Sequence, residues 1–221
     1  MDPMEVLFQN IDNYCERLTT LFWAEPLNAL TNILFIIFGF IILKSINFKK
    51  DKTWTFILSI NAIIVGVGSF LFHTFANVLT KYADIIPIVI FMTLFFYFTF
   101  RKVFNHSNLK SICLVVIFML SGNLFKWLDY PMFNGSHGYF HCLLALFMIS
   151  FILMKERPLI AKDYFIGGIL FFISLIFRSI DHTLCSSFPV GTHFLWHIFV
   201  STLVFRLLII SRNFENGIYQ K

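Results

Sequence analysis

Charge is what this sequence has least of. Asp, Glu, Lys and Arg make up 13% of its 221 residues, where a soluble domain carries about a quarter. An ordinary soluble domain is therefore excluded. Cysteine is scarce as well, at four residues, too few for a small secreted scaffold held by disulfides. Proline and glycine number six and ten, which argues against the interrupted helices of a secondary transporter. The first 20 residues contain Asp2, Glu5, Asp12 and Glu16 and no basic leading region. They do not read as a signal peptide, so the first span is expected to act as its own insertion signal. No stretch between the apolar runs could form a soluble domain, so residues 1–221 are expected to be one domain.

What is present is apolar. Hydrophobic residues make up 58% and aromatic residues 19%, with a mean hydropathy of +0.78. Seven runs approach the ~20 residues that cross a bilayer: 27–44, 54–73, 84–100, 110–127, 138–154, 163–180 and 192–211. The expected fold is an all-α integral membrane bundle of seven transmembrane helices. With seven spans, alternate connections fall on opposite sides. Lys44, Lys49, Lys50, Lys52, Arg101, Lys102, Lys110, Lys155, Arg157, Lys162, Arg206, Arg212 and Lys221 fall on one side, and Arg17, Lys81, Lys126 and Arg178 on the other. The positive-inside rule then puts the N-terminus outside and the C-terminus in the cytoplasm. The same distribution argues against nucleic acid as a partner, despite a net charge of +5.

The chemistry collects at the expected outer ends. His193 and His197 are four residues apart at the head of the last span, so they share a helix face one turn apart. Ser69 and His73 show the same spacing at the end of the second span, and Asp84 opens the third. Three neutral imidazoles can hold zinc with one coordination position open, the pattern of a catalytic site. Phe194 stands where H-E-x-x-H hydrolases carry their glutamate. The base must come from elsewhere, and Asp84 is the candidate. Ser69 could donate to a developing oxyanion. Each residue also has a plainer reading: His73 as a helix-end cap, Ser69 bonded to its own helix, Asp84 as the N-cap of span three.

The ordered set Tyr14-Cys15-Glu16, Ala24-Glu25-Pro26-Leu27-Asn28, Thr31-Asn32, Gly68-Ser69 to His73, Asp84, Arg178-Ser179-Ile180-Asp181 to Cys185, and His193 to His197 resembles the alkaline ceramidases. These belong to a wider group of seven-span hydrolases that includes the progestin and adiponectin receptor relatives. The resemblance implies hydrolysis of the ceramide amide, with His73, His193 and His197 on zinc, Asp84 activating the water and Ser69 assisting the oxyanion. It also implies a calcium site near the start of the chain, involving Asn13, Tyr14, Glu16 and Glu25. Asn13 stands where the family has an aspartate, Leu18 where it has an asparagine, and the segment between Glu16 and Glu25 is shorter. The other reading pairs Glu16 and Glu25 with Arg17 and Arg178. Cys15 and Cys185 fall on the expected outer side, where oxidation is permitted, and the family pattern favours a disulfide between them.

Other features read as secondary. His137 and His141 could form a second metal pair, though polar lining is the preferred reading. Lys126, Trp127 and Asp129 suggest an interface belt with an ion pair. His182 reads as a loop residue, and Gly167-Gly168 suits close helix packing. The expected protein is thus a zinc amide hydrolase acting on ceramide or another N-acylated lipid. The alternative is a seven-span lipid receptor with a structural zinc. No obligatory protein partner is evident. A bacterial inner membrane is the favoured location, or an ER or Golgi membrane in a eukaryote, with the site on the non-cytoplasmic side.

Overall fold

A computed structural model describes residues 3–46 and 53–220. Lys49, Lys50, Lys52 and Lys221 of the charge distribution lie outside them. Among the described residues seven helices are long and apolar enough to cross a membrane. They are α1 (Pro26–Lys44), α2 (Thr53–Phe75), α3 (Val78–Val103), α4 (Asn108–Leu128), α5 (Ser136–Leu153), α6 (Pro158–Leu184) and α7 (His193–Glu215). The described residues contain no strand. The backbone reason is general: in lipid a helix satisfies its own N–H and C=O groups.

All seven helices are longer than the apolar runs that announced them, because a helix can continue into flanking polar residues past its membrane-depth pattern. The clearest case is α3. Its N-cap is Asn77, whose side chain accepts from Thr80 N while the Thr80 hydroxyl accepts from Asn77 N, a reciprocal capping box. Asp84 therefore lies inside the helix and is not its N-cap. His182 likewise falls within α6 and not in a loop. At the other end of the bundle, Glu215 of α7 accepts from Trp54 N and Thr55 N, at 3.0 and 3.1 Å, and so caps α2.

The helices form an antiparallel ring in sequence order, in which α7 packs on α6, α1 and α2. α2 and α7 are the most enclosed and α4 the least. Gly167 and Gly168 do mark close packing, with Leu203 of α7 and the Phe147 ring of α5 directly over them. The decisive contact joins α2 to α3. Pro87 has no N–H for the carbonyl four residues back, that of Ala83. Gly68 packs directly against this freed carbonyl, where a Cβ would collide with it. That approach brings Ser69 and His73 of α2 to the Asp84 level of α3.

Gly68→Val is expected to force α2 and α3 apart, costing about 1–3 kcal/mol of overpacking, or roughly 2–10 °C of unfolding temperature for a domain this size. Gly138→Ala is the control, because a Cβ there meets nothing within 4 Å. Thermal unfolding in detergent should separate the two variants; equal losses would remove the special status of the α2–α3 contact.

Candidate active site

Residues 3–25 fold over the end of the bundle that carries the histidines. Ile11 N donates to Ala76 O at 2.7 Å in the α2–α3 turn. Cys15 is bonded to Cys185 just beyond α6, with Cα atoms 5.2 Å apart. Asp181 is fully buried beneath this link. Its Oδ1 accepts from Thr192 N (2.6 Å) and His193 N (3.0 Å), and its Oδ2 from Cys15 N (3.1 Å). It thus satisfies two of the four N–H groups that a helix start leaves open. Gly191, at φ +67°, makes the turn and lies against Cys15 Cβ. One carboxylate thereby sets the start of α7, and with it the position of His193.

His73, His193 and His197 converge. Each offers a ring nitrogen within 4.8 Å of the others, and all three side chains are buried. Ring centroids are 4.6 Å apart for His193–His197, 4.7 Å for His73–His197 and 5.2 Å for His73–His193. Among the described residues this is the one His, Cys, Asp or Glu group placed to hold a metal. His137 and His141 do not form a second: His137 lies 3.7 Å from Asp129, while His141 packs on Phe118 and contacts Cys142.

Neighbours fix two of the three imidazoles in tautomers suited to a metal. His73 Nδ1–H donates to Glu25 Oε2 at 2.6 Å, leaving Nε2 free. His197 Nδ1 lies 3.0 Å from Thr31 Oγ1. The Thr31 hydroxyl donates to Leu27 O, so it accepts from His197, again leaving Nε2. Such outer partners hold ring orientation and raise ligand basicity. His193 Nδ1 is buried with no hydrogen-bond partner, and so is Asp84 Oδ1. Buried polar atoms of this kind normally have a partner. A divalent metal with its water would provide one for both, so the donor set fits zinc. Ser69 neighbours Asp84 as a hydrogen-bonding side chain.

The sequence profile of the ceramidase family matches residues 11–217. The chain belongs to the ceramidase family. Membership implies a membrane amide hydrolase acting on ceramide, with the three histidines compatible with a metal site. No individually curated protein matches the chain.

The calcium site expected of a ceramidase is not accommodated by these residues. Calcium takes six to eight oxygens. Here both Glu16 oxygens accept backbone N–H groups at the start of α1, from Leu27 at 2.7 Å and Asn28 at 2.8 Å. Glu25 Oε1 accepts from Arg17 Nε. Its Oε2 accepts from His73 and, at 3.0 Å, from Asn28 Nδ2. The Tyr14 carbonyl accepts from Arg17 N at 3.2 Å, and Leu18 points to solvent at 81% exposure. The pairing of Glu25 with Arg17 holds, but Arg178 pairs with neither glutamate. It donates to Tyr14 OH at 3.0 Å and lies over the Tyr139 and Trp196 rings. Tyr14 in turn stacks on His193, with centroids 3.6 Å apart. Thr31 and Asp181 were not singled out for these roles by sequence. Thr31 and Asp181 lie inside the family pattern, but their roles come from contacts made only in the folded bundle.

Burial pushes the Glu25 carboxyl up. The hydrogen bond and charge of His73, the Asn28 hydrogen bond and the charge of Arg17 together outweigh burial and hold it below the ordinary carboxylate range. A carboxyl held lower in the folded than in the unfolded chain stabilises the fold above its unfolded value, about 4.3. That contribution is lost as pH falls through the folded value. Glu25→Gln is expected to melt below the wild type at pH 7, by about 3–5 kcal/mol for a buried pair left half-made. The gap should close below about pH 4. Melting curves from pH 3 to 7 provide the check, and a gap that stays constant would contradict it.

Proposed function

We propose that the protein hydrolyses the amide bond of ceramide or another N-acylated membrane lipid, with zinc held by His73, His193 and His197. One observation carries this reading. The three buried histidines converge, and two of them, His193 and His197, line the head of an apolar cavity together with Asp84, whose Oδ1 has no partner.

That cavity has a volume of about 160 Å³. Ser69, Asp84, His193 and His197 line its polar end, and Ile88, Phe91 and Phe95 of α3 face Val200, Val204 and Leu207 of α7 along its length. From His197 to Leu207 the helix rises about 15 Å, a depth suited to an acyl chain. An apolar slot with a few converging polar groups is the general form of a small-molecule site.

When bound, zinc supplies Lewis acidity: it polarises a carbonyl and brings water near neutral pKa. The chain's own groups do the rest. The slot holds the acyl chain so that the scissile carbonyl lies at the histidine level. Asp84 takes a proton from the attacking water and passes it to the leaving amine, as a general base and then a general acid. The Ser69 hydroxyl donates to the carbonyl oxygen as negative charge develops there. Glu25 and Thr31 keep the imidazoles from turning.

The charge distribution supports a site on the non-cytoplasmic side, with the N-terminus outside and the C-terminus in the cytoplasm. A bacterial inner membrane is the location we favour, and the seven helices act as one domain over residues 1–221.

His193→Ala is expected to lose zinc and amide hydrolysis while still inserting in membranes. Asp84→Asn should retain zinc and lose about 10²–10⁴ in kcat, and Ser69→Ala about 10²–10³. Release of labelled fatty acid from ceramide, with zinc quantified in each preparation, reads all three. Full zinc content and unchanged activity in His193→Ala would refute the ligation. Zinc without turnover in the wild type would favour a receptor.

A further inference from the structure

We infer that the Arg17 guanidinium is a built-in cation that positions the metal ligand His73, in the place where a divalent ion would otherwise balance Glu25. This rests on the proposed role of His73 as a zinc ligand. Arg17 touches neither the cavity nor the substrate, so it is a positioning residue.

The geometry is a closed ring of contacts. Arg17 Nε donates to Glu25 Oε1, and the two side chains are only 5% and 3% exposed. Glu25 Oε2 accepts from His73 Nδ1. The ring closes on the backbone of the same histidine, because a terminal Arg17 nitrogen donates to His73 O at 3.0 Å. A second terminal nitrogen donates to Thr19 O at 3.2 Å. Arg17 thus grips His73 at both ends, through its carbonyl directly and through its imidazole by way of Glu25.

That carbonyl has a reason to need a donor. His73 lies in the last turn of α2, where helix carbonyls lack intrahelical partners. The N–H four residues on belongs to Asn77 and goes to the Thr80 hydroxyl instead. A cation at a helix C-terminus is also favoured by the helix dipole. The planar fork of arginine can meet the carboxylate and both carbonyls at once, which an ammonium does less well.

Its charge is permanent and covalently tethered. Unlike a bound ion, it can be neither removed by a chelator nor supplied by calcium. The site is therefore constitutive with respect to calcium, a property set by one residue of the N-terminal segment.

The experiment uses full-length protein in detergent, in calcium-depleted buffer. In the wild type, titrating calcium to millimolar levels is expected to leave unfolding temperature and zinc affinity unchanged. Arg17→Gln, compared at a temperature where it remains folded, should bind zinc about 10–100-fold more weakly, the usual cost of losing an outer partner. Arg17→Lys should recover part of that loss, and millimolar guanidinium should recover part of it in Arg17→Ala. A merely structural role would not respond to either. A wild type whose unfolding temperature rises with micromolar calcium overturns the inference, and this arm stands even if the variants fail to fold. Wild-type zinc affinity in folded Arg17→Gln overturns it as well. A wild type that binds no zinc instead removes the underlying metal reading, and the inference with it.

Discussion

Glu25 is a carboxylate that the bundle has enclosed almost completely, and the active-site end is arranged around keeping it charged. An ionised group out of water costs several kcal/mol unless other groups replace its hydration. Arg17, His73 and Asn28 do so together. Each comes from a different part of the chain: the N-terminal segment, α2 and α1. The same carboxylate that needs these partners therefore ties the segment before the bundle to a proposed metal ligand inside it. Asp181 repeats the arrangement nearby, joining the N-terminal segment at Cys15 to the start of α7 at Thr192 and His193. The N-terminal segment is in this sense part of the candidate active site, although none of its residues is a proposed zinc ligand.

Much of this was legible in the sequence where the signal is local. Seven apolar runs with basic residues concentrated at alternate connections gave the spans, because bilayer thickness sets run length and charge resists translocation. The histidines were legible through spacing and depth: His193 and His197 share a face by helical period, and His73 ends an apolar run on the same side. The starts of the helices were less legible. α3 begins at Val78 and not near Asp84, since the capping box at Asn77 and Thr80 lies in a polar stretch that hydropathy reads as loop.

The roles of the acidic residues were the least legible, for a physical reason. A carboxylate's task depends on which donors the fold brings to it, and those donors are remote. Glu25 meets His73 across 48 residues, and Asp181 meets Cys15 across 166. Pattern alone placed Glu16 and Glu25 among candidate calcium ligands. In the fold Glu16 caps α1 and Glu25 holds His73, so one pattern served two unrelated tasks. Arg178 shows the converse. A salt bridge was the natural expectation for it, yet aromatic faces and the Tyr14 hydroxyl surround it instead.

Charge balance around the histidines bears on the proposed metal: it accommodates one divalent ion more readily than two. Glu16, Glu25, Asp84 and Asp181 are four carboxylates near the cluster, and Arg17 and Arg178 are the two guanidiniums among them. Exposed Lys81 sits at the cavity mouth, where water screens it. The three imidazoles add no charge when they act as neutral ligands. With its acids ionised, the site therefore carries two negative charges in excess, in surroundings too apolar to tolerate them cheaply. One divalent cation at the histidines, as proposed, would remove that excess. A second divalent ion at Glu25 would replace it with an equal positive excess while pressing against a buried guanidinium. The presence of Arg17 and the number of divalent ions the site would tolerate are thus one constraint, and it is consistent with neutral histidines as the whole of the proposed ligand set.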